Sequence, residues 1–366
     1  MIDERIFKNE ERAVYTLRSL YSRFGYRPYK MSKFEEYDLY VKNKDFLISD
    51  GIITFTSHSG RLMALKPDVT LSIVKNFKGE GGVEKYYYNE NVYRTAKSSR
   101  EFKEIMQTGL ECIGDIGIYE MTEVLSLAVR SLVAMSESSV LDLTHVGLVS
   151  ALLNAMDVSE KTREALLAAL ERKSRDTLSS LVATGEIKEE GQALLLSLMD
   201  EYASIEDAVR ALTPYVKDET TSAALSEFVE VVNALAALGL AKYLNISFSL
   251  LANASYYSGI VFQGYIKGLP DRVLSGGRYD GLMRRMGKNA GAIGFAVYLD
   301  ALERMNDVEK KYDVDVLLLK SSDTPSEAIV RAVEALSRDG SSVLVQAFVP
   351  SGLRYRRLVN ISEMVN

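Results

Sequence analysis

Gln107, Gly109 and Glu111 alternate within Glu101 to Gly114, a run rich in apolar and aromatic residues, and Arg94 closes the similar run that begins at Glu84. A Lys/Ser-rich loop, Thr95 to Arg100, separates the two, which is the pattern of paired antiparallel strands. Strand side chains alternate faces, so Gln107, Gly109 and Glu111 share one side, while Met106, Leu110 and Cys112 take the other. An amide and a carboxylate flanking a glycine leave a polar notch on the sheet. A carboxylate in such a place needs a cation or hydrogen-bond donors. The same pattern also fits a surface-facing strand with Arg94 and Glu111 as a structural ion pair. Asp68 and Thr70, in Lys66-Pro-Asp-Val-Thr70, are likewise placed to cap the helix that Pro67 opens, a role that needs no ligand.

Composition limits what else is open. A chain of 366 residues suffices for two or three domains with cores, and 47% hydrophobic with 26% charged residues is the balance of an ordinary soluble protein. No apolar run approaches the roughly 18 residues of a membrane span, and the charged start does not read as a signal peptide. The location expected is therefore cytoplasmic. Cys112 is the one cysteine, which excludes an intramolecular disulfide framework and a cysteine metal site. It reads as a small buried hydrophobe. His58 and His145 are the two histidines, far apart in sequence, which argues against a zinc site or a nucleophilic triad. Both are read as structural. A net charge of −6 gives no general pull toward nucleic acid.

The elements that must position the notch follow from periodicity. Ala13, Val14, Leu17, Leu20 and Tyr21 recur at helical spacing before Gly25, a natural stop. Ile52 to Phe55 and Leu62 to Leu65 form a hairpin around Ser57-His-Ser-Gly60, and a helix runs from Leu71 to Phe77. Met121 to Met135 is an amphipathic helix and Val140 to Val146 a strand. From about Gly147 to Gly239 the chain is almost wholly helical, with leucine-rich faces that read as core and a capping-box pattern at Ser204 to Asp207. Strand character returns at Tyr243 to Leu250 and Tyr256 to Tyr265. Ser275 to Gly281 is expected to be a glycine-rich turn, and Gly291 to Leu302 to enter a helix. Beyond the charged link Asp307 to Lys311, a βαβ module (Val314 to Val345) is expected, then a last helix over 352–366.

Several stretches, in this order, resemble the histidyl-tRNA synthetase family: Phe24-Gly-Tyr26, Lys66 to Thr70, Tyr93-Arg94, Gln107-Thr-Gly-Leu-Glu111, Tyr256-Tyr257, Ser275-Gly-Gly-Arg-Tyr-Asp280 and Gly291-Ala-Ile-Gly-Phe295. The resemblance implies an α+β class II synthetase domain over 1–310: an antiparallel sheet with flanking helices, usually dimeric, interrupted by a helical insertion at about 147–239. Residues 311–366 would be a truncated anticodon-binding-like βαβ module. It also implies a histidine pocket. Asp68, Thr70 and Gln107 would take the α-amino group, Arg94 a carboxylate or phosphate, and Glu111 with one or both of Tyr256 and Tyr257 the imidazole. Arg278 and Tyr279 belong to the same set of motif positions.

The resemblance to the enzyme breaks at its arginines. The family carries an arginine a few residues before the tyrosine pair, where this sequence has Ala252, and a glutamate-arginine pair where it has Asp300 and Ala301. Adenylation develops negative charge that guanidinium groups stabilise, each worth on the order of 10³ in rate, and methyl groups supply none. Arg304 could replace the second arginine but not easily the first. The first motif has Ser32 in place of its usual proline. A synthetase-like body with these losses resembles the accessory paralogues that regulate ATP phosphoribosyltransferase. That implies a non-catalytic protein without cofactor, metal or tRNA. It would associate as a dimer and assemble with a short-form catalytic subunit, with histidine as effector. A divergent histidyl-tRNA synthetase and an amino-acid sensor for another partner are the alternatives.

Overall fold

The computed structural model describes residues 7–43, 51–79, 81–95, 101–251, 256–304 and 311–364, the side chains of 303 and 304 apart. They divide into two compact units, one inside Glu10–Met305 and one inside Asn306–Asn366 with the start of the chain.

The larger unit opens with α1 (Asn9–Arg23), whose buried face is Ala13, Val14, Leu17 and Tyr21. Gly25 ends it at φ +80°, a conformation that glycine alone adopts without penalty. Then come β1 (Arg27–Pro28), β2 (Phe34–Glu36), α2 (Tyr37–Lys42), β3 (Thr54–Thr56), β4 (Leu62–Leu65) and α3 (Thr70–Asn76). β2, β4 and β3 form a small antiparallel sheet. The paired strands expected from the sequence are β5 (Glu84–Thr95) and β6 (Phe102–Gly114), antiparallel along their length, with Tyr86 opposite Glu111 and Tyr88 opposite Gly109. α4 (Ile118–Met135) and β7 (Ser139–His145) follow.

The helical block contains α5 (Val146–Asn154), α6 (Glu160–Glu171), α7 (Arg175–Ala183), α8 (Glu189–Met199), the two-residue β8 (Glu201–Tyr202), α9 (Ile205–Leu212) and α10 (Glu219–Ala237). Ser159, Ser204 and Asp218 cap helices by accepting an amide hydrogen three residues on. Leu225, Phe228, Val232 and Leu235 of α10 are buried in the main core.

β9 (Leu244–Ser247), β10 (Ile260–Ile266), β11 (Leu274–Arg278), α11 (Asp280–Arg285) and β12 (Gly291–Tyr298) complete the unit. The large sheet runs β1-β5-β6-β12-β11-β10-β7-β9-β8. Its centre, β5 to β7, is antiparallel, and β1 and β9 join in parallel. One face carries the main core with α1, α4 and α10. The other carries a second core under α3, the small sheet and α11.

Two expectations fail here for one reason. Ser275 to Arg278 is no turn but part of β11, and Gly291 to Tyr298 is strand β12, with only a 3₁₀ segment after it. Small residues are present because neighbours press close. A Cβ on Gly276 would lie 2.4 Å from that of Phe295, and one on Gly277 would lie 2.6 Å from the Tyr257 ring.

The smaller unit has β13 (Val314–Leu319), α12 (Ser326–Leu336), β14 (Val343–Gln346) and β15 (Tyr355–Asn360). The final helix expected over 352–366 is instead β15, which pairs in parallel with β13. Its alternation places Val359 in the small core with Leu318, Ala332 and Ile361.

Candidate functional site

The loop before α3 is held firmly. Lys66, 1% exposed, is ion-paired with Glu90 on β5, and the Tyr93 amide donates to the Lys66 carbonyl at 2.9 Å. Arg94 Nε donates to the Pro67 carbonyl at 2.8 Å. Asp68 Oδ1 accepts the Leu71 amide at 2.9 Å, so the capping role foreseen for it is real. These bonds aim Asp68 and Thr70 at β6.

Glu111 is 2% exposed and makes no ion pair with Arg94. Its oxygens accept from the Thr70 hydroxyl and the Tyr279 hydroxyl, each at 2.6 Å. Burial without a cation pushes its carboxyl up to about 8, the two hydroxyl donors opposing and the nearby Asp68 adding. Burial also raises Asp68, against the Leu71 amide and Arg94. Gln107 is 3% exposed, and its Nε2 has no partner among the described residues.

Asp68, Thr70, Arg94, Gln107, Glu111, Tyr256, Tyr257 and Tyr279 all line one cavity, with Tyr88 and Tyr298, which the sequence reading did not single out. Among the described residues Arg94 is the one basic side chain in that lining. Arg278 lies elsewhere, beside Glu227 and Asp280. The free space is about 30 Å³, room for about two waters. A ligand the size of an amino acid therefore enters only if wall residues move. Tyr256 and Tyr257, packed edge to face at 4.7 Å, form part of that wall.

A separate cleft of about 550 Å³ shares Arg94 and Tyr298 with this cavity and is also lined by Arg272, Asp300 and Ala301. Ala252 and the side chain of Arg304 lie outside the described residues. Cys112 is buried on the opposite face of β6, where burial pushes its thiol up to about 12. His145 caps α5 by accepting the Leu148 amide at 2.9 Å, and His58 stands in the exposed hairpin turn. Among the described residues no cluster suits a metal ion, and no helix is long and apolar enough to cross a membrane.

An antiparallel-centred sheet that carries this cavity on one face and helices on the other is a class II aminoacyl-tRNA synthetase fold. The histidyl-tRNA synthetase family model matches residues 2–302, and the chain belongs to that family. Its relatives include the ATP phosphoribosyltransferase regulatory subunit of Clostridium kluyveri, 28% identical over 86% of this chain and 84% of that protein. The regulatory subunit of Acetivibrio thermocellus is 26% identical over 90% and 81%. A crystal structure described as an ATP phosphoribosyltransferase regulatory subunit/histidyl-tRNA synthetase, from Bacillus halodurans, superposes with a TM-score of 0.76. It is 26% identical and covers 98% of this chain and 96% of that one.

Proposed function

We propose that this chain is a regulatory subunit of ATP phosphoribosyltransferase, acting with a catalytic subunit in the first step of histidine biosynthesis. The carrying observation is the run of regulatory-subunit relatives that align over most of its length. In this reading the chain is non-catalytic. The alanines at 252 and 301 stand where the family's enzymes use arginine to stabilise developing phosphate charge. The unit over 311–366 is a shortened anticodon-binding-type module, no tRNA is charged, and the subunit self-associates as a dimer.

Histidine is the effector and the cavity at Glu111 its place. Two buried carboxyls, Asp68 and Glu111, face a single arginine there among the described residues, a balance suited to a ligand bearing an ammonium and a protonatable ring. Thr70 and Gln107 add polar contacts for the amino group, Arg94 takes the carboxylate, and Tyr256, Tyr257 and Tyr279 enclose the ring. Feedback requires histidine to bind the inhibited assembly more tightly than the active one, by about 1–3 kcal/mol.

The test mixes the chain with a short-form catalytic subunit and follows phosphoribosyl transfer to ATP with and without histidine. Activity should rise with the chain and fall when histidine is added. No gain removes the reading. Histidine-dependent ATP–pyrophosphate exchange by the chain alone would instead make it a synthetase, the activity for which its family model is named.

A further inference from the structure

Arg278, the last residue of β11, and Tyr279, which leads into α11, are neighbours whose side chains serve different parts of the molecule. Tyr279 turns into the cavity and donates to Glu111 at 2.6 Å. The Arg278 side chain is only 20% exposed. Its Nη1 lies 3.3 Å from Glu227 Oε2 on α10, and its Nε donates to Asp280 Oδ2, at the start of α11, at 2.9 Å. The other oxygen of Glu227 meets His145 Nε2 at 3.1 Å. The His145 bond holds the Glu227 carboxyl below its ordinary value, against burial, and Arg278 adds to the effect.

The backbone ties the two sides together. The Ser258 amide donates to the Arg278 carbonyl at 2.8 Å, directly after Tyr257, whose ring packs on Gly277 and lines the cavity. The Tyr279 amide donates to Ala292 on β12 at 2.8 Å. Arg278 ends β11 and Tyr279 follows it directly, with the backbone of both hydrogen-bonded to neighbours, so a shift that moves the backbone at Arg278 reaches the phenol.

We propose that the Glu227–Arg278 ion pair couples the helical block to the cavity, with Glu227 acting as a positioning residue for Tyr279 and Tyr257. Glu227 does not line the cavity. A ligand that moves the tyrosines is then felt on α10, and a partner that engages α10 alters the ligand's affinity by the same factor. The identity of the ligand, histidine, rests on the function proposed above; the coupling itself does not.

The test therefore begins without ligand, by hydrogen exchange on the whole chain. Glu227→Gln should speed exchange at the Ser258 and Tyr279 amides. Reciprocally, Tyr279→Phe should change exchange in α10 around Glu227. Glu190→Gln, which breaks an exposed pair with Lys217 in the same block, should do neither. In calorimetry with histidine, Glu227→Gln should weaken binding by about 5- to 50-fold, and its combination with Tyr279→Phe should be non-additive. Unchanged exchange at Ser258 and Tyr279 in Glu227→Gln, or an α10 indifferent to Tyr279→Phe, overturns the coupling. Intact exchange coupling in a chain that binds no histidine supports it and sinks only the choice of ligand.

Discussion

Two carboxyl groups are buried on opposite faces of the same part of the sheet, and their surroundings differ in one respect. Glu123 of α4, 6% exposed, accepts from Lys85 Nζ at 2.6 Å, from Tyr119 at 2.8 Å and from Tyr26 at 3.2 Å. Burial works against the Lys85 ammonium, yet the Glu123 bond leaves its pKa raised. Glu111, across β6, has two hydroxyl donors and, among the described residues, no cation bonded to it. The Glu123 site is complete within the chain, and its charge is spent on holding α4 to β5. The Glu111 site is balanced only while the carboxyl keeps its proton or a cation arrives. A buried acid of the first kind serves the fold, and in the function proposed above one of the second kind is kept for a ligand.

The contrast should appear most strongly in stability. Lys85→Met strands a buried carboxylate, and its cost in urea unfolding should be about 3 kcal/mol. A loss below about 1 kcal/mol would mean that solvent already reaches Glu123 and that the two sites are alike. Removing the charge at the other site should act on the ligand. Glu111→Gln keeps a hydrogen-bonding side chain of the same shape but loses a charge-assisted bond worth about 2 kcal/mol, or roughly 30-fold in histidine affinity. Equal affinity in calorimetry would move the effector elsewhere on the molecule.

The same residue predicts a pH dependence. Folding raises the Glu111 carboxyl from 4.5 to about 8, so the folded state holds the proton more tightly than the unfolded one. That stabilisation is full below about 4.5 and is lost as pH climbs through about 8. Relative to Glu111→Gln, the wild-type chain should therefore lose stability between pH 5 and pH 8, read as a falling urea midpoint. Parallel profiles for the two proteins would mean that folding leaves the Glu111 carboxyl near its ordinary value.

Much of this architecture is legible where the signal is local. The α1 stripe, the β5–β6 pair and the capped helices of the block follow from spacing within a few turns or strands. Gly276, Gly277 and Gly291 mislead because the sequence records that a residue is small but not which distant group presses on it. Residues 355–360 mislead for a related reason: half-exposed Tyr355, Leu358 and Val359 take strand form only because β13 is there to pair with them. At the site, resemblance to the family names residues that then meet at one cavity, whereas alternation alone leaves Glu111 as open to a surface ion pair as to burial. It also could not say that Arg278 turns away from its neighbour Tyr279. Tyr88 and Tyr298 escape notice because they sit in long aromatic strands without a marking pattern. Glu227 looks like any solvated residue of α10 until the fold brings it to Arg278.

The smallest expected effect concerns Gln107, which shares a strand face with Glu111. Its Nε2 is buried without a partner among the described residues, so the fold already bears the desolvation of that donor. Gln107→Leu removes the unpaired group and keeps most of the volume, and its stability should stay within about 1 kcal/mol of wild type, with a gain more consistent than a loss. Histidine binding should weaken all the same, because in the proposed site the amide that goes is the one that meets the ligand. A substitution that is neutral for the fold and harmful to binding is what a site kept for a ligand requires, and it is the reverse of what Lys85→Met should do. If Gln107→Leu costs several kcal/mol while binding is untouched, the amide belongs to the core and the cavity is a remnant of the family's fold.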